Sequence, residues 1–343
     1  MSDYETVNFA ILGAGIVADY HRRAIVANAD LGARLVAIGH YNSVRFDEIS
    51  TEFDAPCVPY EDLLTDTQVD VVCICTPSGQ HTEQAIAAAG AGKHVLVEKP
   101  MALSLADADA MIKACDRAGV RLGVVLQRRV EPLFARVHDA IAAGDLGQLT
   151  LGLVTMPYFR PQTYYDQAEW RGTWALDGGG VLMNQGIHLV DLLVWYMGDP
   201  VEVQAHADTL RRDIEVEDTL VATLRFGDGA MATIAATTTV AAGFPHRIEI
   251  YGTNGGIQVE GETVRRWDLA DPAEAVVEPP EIGAPIHAGA GGDPRGIAPT
   301  GHIAIFADFI RALRTGRSPQ IDGVEGKRSL AAVLAIYKAA GMR

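Results

Sequence analysis

Val7-Asn8-Phe9-Ala10-Ile11-Leu12-Gly13-Ala14-Gly15-Ile16-Val17-Ala18 decides the fold. The mostly apolar run Val7 to Leu12 reads as a strand, and Gly13 closes it. A helical stretch from about Val17 to Ala29 follows. The glycines fit G-x-G-x-x-A, set between a strand and a helix. In that setting Gly13 permits the tight turn and Gly15 lets backbone approach a pyrophosphate. Ala18 is small enough for close helix–strand packing. The helix start, at Ile16 and Val17, offers N–H groups and the positive end of a dipole to an anion.

Working outward, Leu35 to Ile38 is a second apolar run. Val69 to Cys75 is a third, closed by Thr76-Pro77. His81 to Ala91 is alanine-rich and helical. His94 to Val97 is a fourth strand, ending at Glu98-Lys99-Pro100. Ser104, with Asp107 three residues on, caps a helix to about Ala118. Val120 to Leu126 is a further strand. Strands alternating with helices imply right-handed crossovers and a parallel sheet, whose ligands lie beyond the carboxyl ends of the strands. The loops at Gly13, Thr76 and Glu98 all follow strands, so they converge on one rim. Candidate dinucleotide contacts are therefore Gly13, Gly15, Ile16, Val17, Thr76, Pro77, His81, Glu98 and Lys99, with Lys99 delivered toward the nicotinamide.

The end of the second strand bears on cofactor choice. Gly39-His40-Tyr41-Asn42-Ser43 lacks the acid that accepts a ribose 2′-OH in NAD sites. His40 stands in its place, and Arg45 is close enough for a 2′-phosphate. The missing carboxylate tilts the expectation slightly from NAD to NADP, although His40 and Asn42 can also hold a 2′-OH.

From about Leu151 the pattern changes. Leu149 to Met156, Val201 to Ala207, Thr219 to Phe226, Ala230 to Thr239 and His246 to Tyr251 read as strands, with a tight hairpin at Asp228-Gly229. The expected architecture is α/β. An N-terminal dinucleotide-binding Rossmann domain over 1–124 precedes an α/β domain over 125–343. That second domain carries an open, mainly antiparallel sheet and serves substrate binding and oligomerisation. The Gly- and Pro-rich stretch 283–301 reads as a mobile loop or lid. Ile303 to Leu313 and Leu330 to Ala340 read as helices.

Gly178-Gly179-Gly180 looks like a break before a helix that carries Asn184 and His188 at i and i+4, hence on one face. A proton carrier beside an amide is a plausible catalytic pair, although a lone histidine is more often structural. Asp191 follows three residues after His188, but the further ligands a metal site needs are not evident, and no metal is expected. Gln127 and Arg128, just past the last Rossmann strand, and Tyr165 and Arg171 are candidate contacts to substrate hydroxyls. Arg160 and Tyr164 lie in the same region.

Composition sets outer limits. A formal net charge of −16 argues against nucleic acid as a partner. No apolar run reaches the roughly 20 residues of a membrane helix, and the N-terminus has no basic n-region. Cys57, Cys73, Cys75 and Cys115 have no framework spacing and read as buried thiols in a reducing cytoplasm.

The joint pattern resembles the Gfo/Idh/MocA family of oxidoreductases across essentially the whole chain. The resemblance is carried by Gly13 to Ala18, Thr76 to His81, Glu98-Lys99-Pro100, Asn184 to Asp191, and Gly323-Val324-Glu325-Gly326-Lys327. It implies NAD(P)-dependent hydride transfer with a small, carbohydrate-like substrate. It also implies that Lys99 contacts substrate and cofactor, that His188 is the acid/base, and that the chain forms a homodimer or homotetramer. Asn184 departs from the pattern, since many members carry Asp there. The rival readings are a redox-assisted glycosidase that retains its dinucleotide and a non-enzymatic dinucleotide sensor. Lys99 and His188 together weigh against the sensor.

Overall fold

The computed structural model describes residues 5–270 and 298–342. Its first sheet has six parallel strands: β1 (Val7–Leu12), β2 (Ala33–Gly39), β3 (Cys57–Val58), β4 (Val71–Ile74), β5 (His94–Glu98) and β6 (Leu122–Val125). Their spatial order is β3-β2-β1-β4-β5-β6, the doubly wound arrangement that reverses between β1 and β4. Val71, Val72, Cys73 and Ile74 are all fully buried, as expected for a strand covered on both faces. Around the sheet lie α1 (Ile16–Ala27), α2 (Phe46–Phe53), α3 (Tyr60–Thr65), α4 (His81–Gly90) and α5 (Leu105–Ala118). The expected cap of α5 is present: Ser104 Oγ accepts Asp107 N–H at 3.0 Å.

The chain divides into two compact units, one running to Val130 together with Ala298–Leu330, the other from Glu131 together with Ala331 onward. A single cut near residue 124 therefore needs correction. The reason is α9 (Thr300–Thr315), which packs on α1. Phe306 of α9 meets Phe9 at 5.3 Å between ring centroids, and Asn28 Nδ2 donates to Ile303 O at 3.0 Å. The start of α10 (Gly323–Ala339) lies close on β6, where a Cβ at Gly326 would stand 2.5 Å from Val124.

The second unit contains α6 (Pro132–Ala143), β7 (Leu149–Pro157), α7 (Gln162–Asp166), α8 (Ile187–Met197), β8 (Pro200–Asp208), β9 (Thr219–Phe226), β10 (Met231–Thr237), β11 (Arg247–Gly252), β12 (Gly255–Glu260) and β13 (Thr263–Leu269). The sheet order is β13-β12-β11-β7-β10-β9-β8, with β7–β10 parallel and the other pairs antiparallel. Alternation along β9 buries Leu220, Ala222, Leu224 and Phe226 on one face and exposes Val221, Thr223 and Arg225 on the other. Strands β12 and β13 were not expected. One begins Gly255-Gly256 and alternates only over Ile257 to Glu260, and the other presents Arg265 and Arg266 in succession, so neither shows an apolar alternation of full strand length.

Helix α9 begins at Thr300 and so takes in the end of the expected 283–301 loop; residues 283–297 lie outside the described ones. Among the described residues, no helix is long and apolar enough to cross a membrane. Ser104→Ala should cost about 1 kcal/mol through loss of the α5 cap, readable by denaturant unfolding.

Candidate functional site

The glycine loop is built as its spacing requires. Gly13 has φ +99°, and a Cβ there would stand 2.8 Å from Cys75 O. The loop after β1 is thereby pressed against the end of β4. Gly15 is the N-cap of α1, and no side chain caps the helix. A Cβ on Gly15 would meet nothing within 4 Å. Uncapped N–H groups facing open space fit a dinucleotide pyrophosphate, with Ile16 and Val17 at the helix start.

Thr76 and Pro77 follow β4, and Thr76 Oγ1 donates to Gln84 Oε1 at 2.5 Å. The expectation that His81 binds cofactor is corrected. Its ring is buried, with Nδ1 2.9 Å from Pro100 O and Nε2 2.9 Å from Thr76 O. Both nitrogens face backbone carbonyls, leaving none for a ligand. His81 instead ties the loop after β4 to the loop after β5.

Glu98 also turns inward. Its carboxylate is buried, with Oε1 2.8 Å from His21 Nε2 on α1 and 3.5 Å from His302 Nε2 on α9. Oε2 accepts the Lys99 backbone N–H at 3.2 Å. Burial alone would raise this carboxyl; bonds to His21 and His302 outweigh it and hold Glu98 well below the usual carboxylate range. Burial drives the His21 imidazole below its usual value, so a neutral ring donates Nε2–H to the carboxylate. The three groups fall within 4.8 Å of one another, a spacing that also invites a metal. Ligands about 2.1 Å from zinc stand roughly 3.3 Å apart, wider than the His21–Glu98 contact. The cluster reads as a hydrogen-bonded set. Its product is a fixed Glu98-Lys99-Pro100 loop, with Lys99 half-buried at the carboxyl end of β5.

At the ribose end, His40 Nδ1 accepts Asn42 N–H at 3.1 Å, and its ring stacks on Tyr41. Arg45 is bidentate to Glu48, at 2.9 and 3.1 Å, on the surface. An exposed, solvent-screened pair of this kind holds only weakly, so Arg45 is readily exchanged to another anion. Past β6, Gln127 Oε1 is buried without a hydrogen-bond partner, and Arg128 is half-buried beside it.

In the second unit, Asn184 and His188 do not share one α-helix. Asn184 lies in a π-helical turn over Val181–Gly186, and His188 is the second residue of α8. Gly186 permits the wider turn, since a Cβ there would press on Val181 O at 3.1 Å and on Met156. From Val181 to Val194 every residue is buried except Asn184, Gln185 and His188. Asp191 is buried. Asn184 Nδ2 donates to Asp177 Oδ1 at 2.6 Å, which places a carboxylate one step behind the amide.

The three glycines allow close approach as well as a chain break. A Cβ on Gly180 would lie 1.7 Å from Glu217 O, and one on Gly179 would lie 2.2 Å from the Tyr337 hydroxyl. Glu217 is fully buried and accepts Gly180 N–H, Leu182 N–H and Tyr337 O–H at 2.8–2.9 Å. It thus holds the turn that carries Asn184. Burial pushes its carboxyl up to about 7, against the pull of these donors.

Tyr165 is corrected as a hydroxyl contact. It is buried, its OH is 3.2 Å from Thr238 Oγ1, and burial pushes it up to about 12. Tyr164 is instead the ring against which Arg171 lies, 4.2 Å from centroid to Cζ. Sequence reading missed His21, His302, Asp177, Glu217 and Arg212. Asp177, next to the glycines, was the one with a local signal.

A glycine loop fit for pyrophosphate, a lysine fixed at the same sheet's rim and a polar opening on an otherwise buried helical segment define a dinucleotide-binding oxidoreductase. Residues 7–126 match the oxidoreductase family with an NAD-binding Rossmann fold, and residues 134–258 match the GFO/IDH/MocA C-terminal domain. The chain is similar to the WlbA dehydrogenase from Bordetella pertussis, solved with NADH and UDP-GlcNAcA. That likeness has 37% identity and a TM-score of 0.86, over 98% of this chain and 97% of that one. It is 33% identical to the 1,5-anhydro-D-fructose reductase of Ensifer adhaerens, over 82% of this chain and 80% of that protein. It is 30% identical to the myo-inositol 2-dehydrogenase of Thermotoga maritima, over 73% and 74%. The chain belongs to the Gfo/Idh/MocA oxidoreductase family.

Gly15→Ala should leave thermal stability unchanged and weaken NAD(H) binding at least tenfold by calorimetry. Gly13→Ala should lower stability itself, because its backbone conformation and the Cys75 contact both oppose a Cβ. A carboxyl raised to about 7 in the folded chain contributes stability that is full below the ordinary carboxylate range and is lost as pH rises through 7. Melting temperature should therefore fall between pH 5 and 8. Glu217→Gln should flatten that slope while costing about 1–3 kcal/mol, because its amide N–H faces other donors.

Proposed function

We propose that this protein transfers hydride between a nicotinamide dinucleotide and a secondary alcohol or ketone of a sugar, cyclitol or sugar derivative. The observation that carries this is the opening of a buried helical segment at Asn184, Gln185 and His188 alone. Three hydrogen-bonding side chains stand half-buried where all neighbours are packed away. The sugar or cyclitol substrates in the names of the similar proteins support the substrate class.

Residues of the Gly13–Val17 loop, Thr76, Pro77 and Lys99 would hold the dinucleotide, which when bound accepts or returns the hydride; Glu98, turned inward, supports that rim from behind. Lys99 contacts substrate and stabilises negative charge developing on the carbinol oxygen. His188 takes the hydroxyl proton in oxidation and returns it in reduction. Asn184 donates to the reacting oxygen or its neighbour and cannot itself carry a proton, so the carboxylate of Asp177 serves to orient it. The buried Oε1 of Gln127 accepts a substrate hydroxyl, with Arg128 alongside. NAD and NADP are both accommodated in this reading. The Glu48 carboxylate on Arg45 is the element that opposes a 2′-phosphate. The exposed outer face of the second sheet, with Leu151, Val221 and Met231, serves a homodimer or homotetramer.

Nicotinamide absorbance is the direct assay, with NAD and NADP each set against sugars, inositols and sugar acids. Lys99→Ala should lower kcat by orders of magnitude with cofactor affinity near wild type; unchanged turnover contradicts the assignment. Glu48→Gln should lower KM for NADP relative to NAD several-fold.

A further inference from the structure

Three arginines gather on one patch of the second unit. The Arg171 guanidinium lies 4.2 Å and that of Arg160 lies 5.6 Å from the Tyr164 ring centroid. Arg160 Nη1 donates to Phe159 O at 2.7 Å, and Arg212 stacks 5.5 Å over the Phe159 ring. Arg160 N–H and Arg212 Nη2 both donate to Thr238 O, at 2.9 and 3.2 Å. The loop that presents Arg212 is itself fixed. Asp218 collects the backbone N–H groups of Leu210, Arg211 and Arg212 at 2.7–3.0 Å.

Among the described residues, no carboxylate forms an ion pair with Arg171 or Arg212, and the Nε of each is buried without a hydrogen-bond partner. Asp177 accepts from Asn184 Nδ2 and Gly172 N–H, and Asp218 from backbone and Thr219. Guanidinium groups withdrawn from water and crowded together are costly unless an anion meets them. Their planar donor forks suit a carboxylate or phosphate, which accepts two parallel bonds.

The patch is continuous with the polar opening of the helical segment. Asp177 accepts Gly172 N–H, next to Arg171, and Asn184 Nδ2, and Gln185 Nε2 donates to Asn184 Oδ1 at 3.2 Å. Gln185 Oε1 is a further buried acceptor without a partner, available to a sugar hydroxyl.

We propose that Arg160, Arg171 and Arg212 form an oxyanion-recognition subsite, so that the substrate is an acidic sugar bearing a carboxylate or phosphate. This rests on the hydride-transfer reading for the reacting end and on the arginines alone for the anionic end.

The test is calorimetric binding to the NADH-loaded protein, with D-glucuronate, UDP-glucuronate and D-glucose 6-phosphate against D-glucose and myo-inositol. At least one acidic probe should bind tenfold or more tighter than its neutral counterpart and weaken as salt rises. The probe that wins separates carboxylate from phosphate. Arg171→Ala and Arg212→Ala should each lose at least tenfold on the acidic probe and under twofold on neutral sugars. NADH affinity should hold, and melting temperature should be unchanged or higher in the absence of ligand. Acidic and neutral probes binding alike, or acidic binding indifferent to both substitutions, overturns the subsite. A lowered melting temperature with unaltered acidic preference marks the arginines as structural and does the same. Arginine-dependent binding without any nicotinamide absorbance change keeps the subsite and defeats the hydride reading. Turnover of neutral cyclitols by wild type, with every acidic probe bound no tighter than the neutral ones, does the reverse.

Discussion

A carboxylate in the core of the first unit is the constraint on which the Lys99 rim of the sheet depends. Glu98 ends the strand β5 and reaches inward to His21 of α1 and His302 of α9, while its other oxygen holds the Lys99 peptide N–H. A charge in that position is tolerable because both carboxylate oxygens meet donors, and those donors come from α1, α9 and the following peptide. The same bonds therefore fix the helix that the glycine loop opens, the helix that returns from the C-terminal part of the chain, and the loop that carries Lys99. His81 does parallel work one strand away, bridging the loops after β4 and β5.

The second unit uses a buried carboxylate differently. Glu217 meets two backbone amides and a tyrosine hydroxyl, all neutral, and burial lifts it to about 7. Glu98 meets histidines and stays ionised. One acid anchors a lysine through its peptide group; the other anchors the turn that carries Asn184. Each lies behind the residues that face outward, which is how a site gains precision without exposing its supports.

Much of the fold was legible because it is written in local patterns. The mostly apolar run Val7 to Leu12 before Gly13, the run Val71 to Ile74 and the Ser104 cap each declare themselves within a few positions. Lys99 and the glycines were legible because a parallel sheet sends every strand-end loop to one rim. What stayed hidden depends on distant partners. His21 looks like one residue of an amphipathic helix until it meets Glu98, 77 positions on. The return of α9 to the first unit leaves no periodic trace. Asn184 and His188 were read by α-helical spacing, whereas Gly186 lets the chain wind as a π-turn. Tyr164 and Tyr165 are adjacent, and only packing decides that Tyr165 is sealed inside while Tyr164 receives the arginines.

The central claim is that the Glu98 carboxylate fixes Lys99 for catalysis. Glu98→Gln keeps the shape of the side chain and removes its charge, so turnover and NADH affinity measured side by side with wild type address the claim directly. The account predicts a folded variant that binds NADH within about threefold of wild type and loses at least tenfold in kcat. A variant that turns over at the wild-type rate would contradict it.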